Sequence, residues 1–506
     1  MQRALERLKT WGMQPSERRV AALVTVAVVL GVHLMTIRIS PPIWQDEVQI
    51  VDLGRQTLQP ASPDKPWSLS WIAAGRPIAF INYLGPAMQE MAYHITAPSP
   101  SGPRVSTIAG ALLAAALAYG WLRARGFSWW PAWVWSVVLL LDPQFVASYR
   151  GARVDSWVFA VMFGACLAAR RGAERADASS PAAWRYFAGA GVLAGVGFFV
   201  WPSAFYLYPL LLADLVEGAI STGRRAVARR ALLVATGGLV GVLLCLLPML
   251  GQITTVWHDV FVSKDAYLNQ GSLPRRILSG LAGLPLAFKL SPILPLLTLG
   301  AVFFRRNLPV TIAAAATLAV MLPTQVYAGR VVYLLPYMMI LVAQGAEEME
   351  KRSRRSWRRL RVGAVALVLL WASGLSLLAR PANAWASRRA RQPELIWAAA
   401  DHDIGSGARK IYLGAWEFYY AGRAAGWEMF VPYGPFTPAE SARFYESLDE
   451  AIVHATDPAA VTDPLVAAGF VKSREIRVGE ATAFDTASLR GVGYGTYILY
   501  SRAKPR

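Results

Sequence analysis

The feature that most constrains this chain is a succession of apolar runs, each about as long as a bilayer is thick, separated by short arginine-rich segments. Crossing the hydrocarbon core takes roughly 20 mostly apolar residues in a helix, because backbone N–H and C=O groups must be satisfied without water. Such runs occupy 20–38, 105–122, 131–148, 154–169, 186–201, 203–218, 232–250, 282–303, 308–323, 328–345 and 361–379. Several are short or carry proline, as at Trp201-Pro202 and Leu322-Pro323. The expected fold is an α-helical polytopic membrane protein with about eleven transmembrane helices.

Charged residues make up 16% of the chain and hydrophobic ones 55%, where a soluble domain carries about 25% charged residues. Lipid as solvent explains the deficit, and so much apolar surface excludes a disordered chain. The net charge of +19 raises nucleic acid as a partner. The basic residues instead collect in short loops between apolar runs, which is how a membrane protein sets its orientation. The expected partner is therefore the lipid bilayer, with no nucleic acid. Cys166 and Cys245 lie inside apolar runs and read as small core residues, too few for a disulfide framework or a thiolate metal site. The stretch 21–37 follows a basic start without a small-residue cleavage site, and reads as an uncleaved first span.

Orientation follows from the same arginines. The N-terminal arm holds Arg3, Arg7, Lys9, Arg18 and Arg19. If that arm is cytoplasmic, every second loop is basic: Arg123 and Arg125; Arg170, Arg171, Arg175 and Arg185; Arg224, Arg225, Arg229 and Arg230; Arg305 and Arg306; then 351–361. One parity satisfies every loop. It places three segments outside: a long first loop (40–104), a middle loop (251–281) and the C-terminal part (380–506). The last has a different texture. Short β-like runs at 410–413, 451–454 and 497–500 alternate with polar helical stretches and Asp/Gly/Pro turns. This predicts two domains: residues 1–379 in the membrane, and a small extracytoplasmic α/β domain over 380–506. Its aromatics Trp416, Phe418, Tyr419, Tyr420 and Trp427 read either as core or as a sugar-stacking surface, with core favoured.

Two adjacent carboxylates, Asp46 and Glu47, follow Trp44-Gln45 where the chain leaves the first span. Helical periodicity continues through Val48, Val51, Leu53 and Leu58, which predicts an amphipathic helix at the interface; a second runs from Tyr83 to His94. Acids suit the first turn of any helix. A carboxylate at the bilayer surface beside Trp44 also suits a general base. On the same face, Ser148-Tyr149-Arg150-Gly151-Ala152-Arg153-Val154-Asp155 brings two arginines and an aspartate to the ends of spans. Charges there are costly unless paired or used. An Arg153–Asp155 pair is one reading, and an anion cradle is the other, since guanidinium matches phosphate oxygens. Trp257-His258-Asp259 and Lys264-Asp265 form a third cluster, in which His258 and Lys264 are candidate phosphate or acceptor contacts. Arg330 and Tyr333, before Leu334-Leu335-Pro336, sit at the mouth of a late span.

Trp44-Gln45-Asp46-Glu47, the run Tyr149 to Asp155, and Gly329-Arg330-Val331-Val332-Tyr333-Leu334-Leu335-Pro336 together resemble the GT-C superfamily of integral-membrane glycosyltransferases. The resemblance is to the bacterial branch with protein mannosyltransferases, lipid A aminoarabinose transferases and rhizobial galacturonosyltransferases, and covers roughly 20–345. It implies a multi-pass protein of the bacterial cytoplasmic membrane. The implied donor is a polyprenyl-phosphate sugar in the outer leaflet; the implied acceptor is a glycolipid, polysaccharide or protein. Asp46 would be the base and the reaction inverting. Glu47 would position base or acceptor or join a cation site. Arg150, Arg153 or Arg330 would neutralise the leaving phosphate, and Asp155 would orient the arginines. The family's first-loop lysine has no clear counterpart, although Lys65, Arg55 and Arg76 are at hand. Some relatives bind a divalent cation; no ligand spacing in this sequence requires one, and no other cofactor is implied. The competing class is a transporter or flippase for a lipid-linked or anionic solute. That class predicts internal repeats and ionisable residues near mid-bilayer, whereas these charges gather at helix ends. A scaffold with ordinary surface acids at 46 and 47 is the third.

Overall fold

The computed structural model describes residues 15–58, 82–217, 223–252, 272–304, 307–324, 326–351, 355–430, 444–478, 483–485, 490–492 and 494–502. The first helix, α1, is Pro15–Met35. The segment after it carries α2, Gln45–Leu58, and α3, Leu84–Thr96. The bundle continues with α4, Ser101–Ala124, α5, Trp129–Leu141, α6, Pro143–Arg150, α7, Asp155–Asp177, and α8, Ala183–Val200. Then come α9, Tyr208–Glu217, α10, Arg224–Leu246, α11, Leu273–Ala287, α12, Ile293–Phe304, and α13, Leu308–Met321. The last two bundle helices are α14, Leu335–Lys351, and α15, Arg355–Ser373.

Among the described residues five helices are long and apolar enough to cross a membrane, six if the bent pair α6–α7 counts as one span. Shorter apolar helices accompany them at Val20–Met35, Trp129–Leu141, Ile293–Phe303 and Leu308–Met321. Two of the expected spans are not single helices. The run 131–148 breaks at Asp142-Pro143, and 282–303 breaks between Ala287 and Ile293. Proline starts a helix well and interrupts one badly. The two breaks meet in space. The Asp142 carboxylate accepts the Gln144 and Phe145 backbone N–H at 2.9 and 3.3 Å and a hydroxyl bond from Ser291, while Gln144 donates to the Ala287 carbonyl. Irregular backbone inside a bundle persists only where its polar groups find such partners.

Two charged clusters cap opposite ends of α4. At its N-terminal end Arg104 meets Glu47. At its C-terminal end Arg125 pairs with Asp214 and, at 2.6 Å, with Glu217. Arg170 reaches Asp214 at 2.6 Å, and Asn307 reaches Glu217 and Gln344 at 2.6 and 2.8 Å. That second cluster ties α4, α7, α9, α13 and α14 together through Arg125 and Arg170, two of the arginines expected on the cytoplasmic side. With 24 residues, α4 is roughly 36 Å long, enough to cross the hydrocarbon core.

The C-terminal residues form a small mixed sheet. Its strands are β1, Lys410–Leu413, β2, Glu428–Phe430, β3, Glu450–His454, β4, Phe470–Arg477, and β7, Thr496–Arg502. The spatial order is β2-β1-β3-β7-β4. β1 pairs in parallel with β2 and β3, and β7 runs antiparallel to β3 and β4. A two-stranded ribbon of β5, Ala483–Asp485, and β6, Arg490–Val492, adjoins it in sequence. The helix α16, Tyr419–Ala425, links β1 to β2. Phe418, Tyr419, Tyr420 and Trp427 are buried, as the core reading expects.

The helix α2 departs from the expectation of an amphipathic helix lying on the membrane surface. Ile43, Val48 and Val51 share a core with Ile411, Phe418, Tyr420 and Ile452 of the C-terminal part. The polar residues Glu47, Gln49, Asp52 and Gln56 are buried too. Three of them have protein partners: Glu47 takes Arg104 at 2.8 Å, and Asp52 takes Arg55 at 2.9 Å and Gln56 at 3.0 Å. An alternating polar stripe is compatible with water or with polar partners, and only packing chooses between them.

Candidate active site

The site is built around the turn between α6 and α7, which bends the chain by 116°. Ala152 sits there at a φ of 53°, in the left-handed region that costs a non-glycine residue about 1–2 kcal/mol. Two side chains from the preceding segment hold this turn. Gln89 of α3 donates to the Ala152 carbonyl at 3.0 Å, and the Trp44 indole donates to the Gly151 carbonyl at 3.3 Å. The turn thereby aims Arg153 at the start of α2.

Arg153 is the hub. Its Nε donates to Asp155 Oδ2 at 2.7 Å, and its Nη1 donates to Asp46 Oδ2. Asp155 is fixed from two more directions, by the Ser148 hydroxyl at 2.6 Å and the Tyr333 hydroxyl at 2.6 Å. Tyr333 is itself immobilised by stacking on Phe159, with ring centroids 5.2 Å apart. Along this chain exposure rises from 0% at Tyr333 to 7% for the Arg153 side chain and 32% for that of Asp46. Asp46 is therefore the accessible end of a buried, charge-assisted relay. Such bonds are about twice as strong as neutral ones and fix geometry accordingly.

A second cation adjoins the first. The Arg153 guanidinium lies 6.0 Å from the Trp44 ring and 5.9 Å from the Tyr327 ring, and the Arg330 guanidinium lies 5.3 Å from the same Tyr327 ring. Arg330 is half-buried. A Cβ on Gly329 would stand 2.9 Å from Arg153 Cζ and 2.7 Å from the Tyr327 ring, so the Gly329 position lets two guanidinium groups approach one tyrosine. Paired arginines with a tyrosine between them suit an anionic oxyacid such as a phosphate.

Glu47, the neighbour of Asp46, has a different environment. Consecutive helical residues point about 100° apart, and Glu47 turns into the core. Arg104 grips it with a two-point fork, Nε to Oε1 at 3.0 Å and Nη2 to Oε2 at 2.8 Å, with both side chains fully buried. Tyr420 adds its hydroxyl at 3.3 Å. Burial pushes the Glu47 carboxyl up, and the Arg104 guanidinium opposes that shift. Arg150 is buried and donates to Thr36 Oγ1 at 2.9 Å, to the His33 carbonyl at 3.1 Å and to the Ser40 carbonyl. It also donates to His33 Nδ1 at 2.9 Å. A guanidinium has no acceptor, so His33 carries its proton on Nε2, which serves the Tyr149 hydroxyl at 2.8 Å. Arg150 thus fastens the end of α1.

Of the residues singled out in the sequence, Asp46, Arg153, Asp155, Arg330 and Tyr333 come together. Glu47 and Arg150 are adjacent but turned into the packed interior. His258 and Lys264 lie outside the described residues, as does Lys65. Sequence reasoning passed over Arg104, Tyr327 and Gln89, and gave Ser148 no role. Arg104, a lone cation opening an apolar helix, carried a usable signal because such a charge needs a partner. Among the described residues no three of His, Cys, Asp and Glu come together in a way that holds a metal ion.

The sequence matches no family model and no curated protein. The structure does match solved ones. ArnT from Cupriavidus metallidurans bound to undecaprenyl phosphate superposes with a TM-score of 0.60 at 14% identity, covering 96% of this chain and 99% of that one. The apo state of the same protein gives 0.59 at 14% identity, with the same 96% and 99% coverage. ArnT is a lipid A aminoarabinose transferase. Likeness over nearly the whole of both chains at so low an identity establishes architecture: this chain shares the fold of ArnT.

Proposed function

We propose that the protein is an inverting glycosyltransferase that moves a sugar from a polyprenyl-phosphate donor to an acceptor hydroxyl at the outer face of the cytoplasmic membrane. The observation that carries this reading is the accessible Asp46 carboxylate, held by Arg153 beside Arg330, on a fold whose solved relative is bound to undecaprenyl phosphate.

In this reading the donor phosphate enters between Arg153 and Arg330. Arg153 then shares its donors with the phosphate, which frees an Asp46 oxygen to take the acceptor's proton. The acceptor oxygen attacks the anomeric carbon from the face opposite the lipid phosphate. The new C–O bond forms as the bond to the phosphate oxygen breaks, the leaving electron pair stays on the phosphate, and the two arginines offset its charge. General-base help is worth about 10²–10⁴-fold and preorganised charge stabilisation about 10²–10³-fold. Tyr333, Ser148 and Asp155 hold Arg153 in place, and Glu47 with Arg104 holds the first turn of α2. A lipid-borne donor is delivered by the bilayer, which fits a chain lacking a Gly-rich phosphate loop in its sequence.

The test compares envelope glycans and lipid-linked sugars by mass spectrometry in wild type, a deletion strain, and the deletion carrying Asp46→Asn. The expected result is one glycan short of a single sugar, its polyprenyl-phosphate donor accumulated, and Asp46→Asn matching the deletion at normal membrane levels. A wild-type profile from Asp46→Asn removes Asp46 as the base and reopens the transporter reading.

A further inference from the structure

Three side chains of one short helix in the C-terminal part each end on a different buried carboxylate of the segment that precedes α4. From α16, Tyr419 donates to Asp52 at 3.3 Å, Tyr420 donates to Glu47 at 3.3 Å, and Arg423 forks onto Glu90 at 2.7 and 2.7 Å. The contacts are layered with aromatic packing. Tyr420 stacks on Tyr93, with centroids 5.7 Å apart, and the Arg423 guanidinium lies 4.0 Å from the Tyr93 ring. The hydroxyls and the fork thus reach both α2 and α3. Of the three carboxylates only Glu47 is the covalent neighbour of the candidate base.

We propose that α16 is a positioning element for the active site: the Tyr420 hydroxyl, acting through the Glu47–Arg104 pair, sets the first turn of α2 and so the direction in which Asp46 meets Arg153. The proposal rests on the transferase reading of Asp46 given above. The division of labour among these contacts supports it. Docking of α16 is secured by the Arg423–Glu90 fork and by burial of Tyr419, Tyr420 and Phe418. The Tyr420 bond adds a third donor to a carboxylate that already has its two-point partner, so its contribution is direction more than adhesion. Glu47 is in turn joined through Arg104 to the Ile37 carbonyl at 2.8 Å, next to the end of α1. The first turn of α2 is therefore bracketed between the membrane bundle on one side and the C-terminal sheet on the other. A shift of about 1 Å in a reacting group costs about 10²-fold in rate, so a single long bond of this kind is enough to register in turnover.

The test uses full-length protein in lipid nanodiscs, with the lipid fraction that accumulates in the deletion strain as donor. Tyr420→Phe removes the hydroxyl and keeps the ring on Tyr93. The expected result is kcat lowered about tenfold, as for a displacement of the base by less than about 1 Å, with donor KM unchanged, unfolding temperature lowered by no more than about 1–3 °C and faster hydrogen exchange in residues 45–58. Arg423→Gln should lower kcat and unfolding temperature together, as a docking contact does, so a kcat loss in Tyr420→Phe without that fall separates direction from docking. Wild-type kcat and wild-type exchange in Tyr420→Phe would overturn the proposal. So would a loss of kcat that only tracks a fall in unfolding temperature. If the wild-type protein itself transfers nothing, the transferase reading fails on its own, and exchange in 45–58 decides whether α16 sets the first turn of α2.

Discussion

Breaking the Glu47–Arg104 pair tests the reasoning about buried charge, and the two halves of the pair should not be equivalent. Both side chains are fully buried, with bonds of 3.0 and 2.8 Å between them. Glu47→Gln leaves the Arg104 cation with a neutral partner in the interior, and removing one member of a buried ion pair costs about 3–5 kcal/mol. Arg104→Met leaves Glu47 behind, but burial already pushes that carboxyl up. It can take a proton and become neutral, so the cost should approach that of one unsatisfied polar group, about 1–3 kcal/mol. The double variant should cost less than the sum by 2 kcal/mol or so, because it leaves no orphaned charge. Unfolding entropy is about 2.1 cal/mol/K per residue, so over 506 residues the Glu47→Gln cost corresponds to a fall of about 3–5 °C in Tm. Tryptophan fluorescence during heating in nanodiscs reads all three variants. Additive losses, or a larger loss for Arg104→Met than for Glu47→Gln, would refute the argument.

Gly329 and His454 carry two further expected outcomes. Gly329→Ala should lower transfer by about 10–100-fold at unchanged membrane level, because its methyl would stand 2.9 Å from the Arg153 guanidinium and must displace it from Asp46; wild-type turnover in that variant would show that Arg153 is not held in place for the reaction. His454 lies 3.3 Å from Glu417; burial works to lower its pKa, but the Glu417 bond and charge outweigh it, so the ring titrates above its ordinary 6.5. A raised histidine stabilises the fold fully below the unfolded value and loses that contribution as pH rises through the folded one. The Tm difference between wild type and His454→Asn should therefore be largest near pH 6 and shrink as pH climbs above about 6.5, and a difference that grows with pH would reverse the assignment.

The sequence by itself determined the solvent, the class and most of the constellation. Apolar length and the alternation of arginine between loops are one-dimensional quantities, so both could be read without a fold. So could the strands at 410–413, 451–454 and 497–500, where short β-branched and aromatic runs between turns leave few alternatives. Asp46, Arg153, Asp155 and Arg330 were legible because charges at the ends of apolar helices need a reason to be there, and Tyr333 came with the motif that holds Arg330. Tertiary structure decided what each charge does. Asp46 and Glu47 are neighbours in sequence and equal in chemistry, yet one is 32% exposed and the other lies in the core. That split depends on helical phase together with partners 57 and 373 residues away, Arg104 and Tyr420. Arg150 and Arg153 separate in the same way, one fastening α1 and the other aimed at Asp46 by the turn at Gly151-Ala152. The breaks at Asp142-Pro143 and near Ser291 escaped the hydropathy reading for a related reason. Whether a helix can stop inside a membrane depends on whether another segment satisfies the freed backbone groups, and that other segment is known only once the chain has folded.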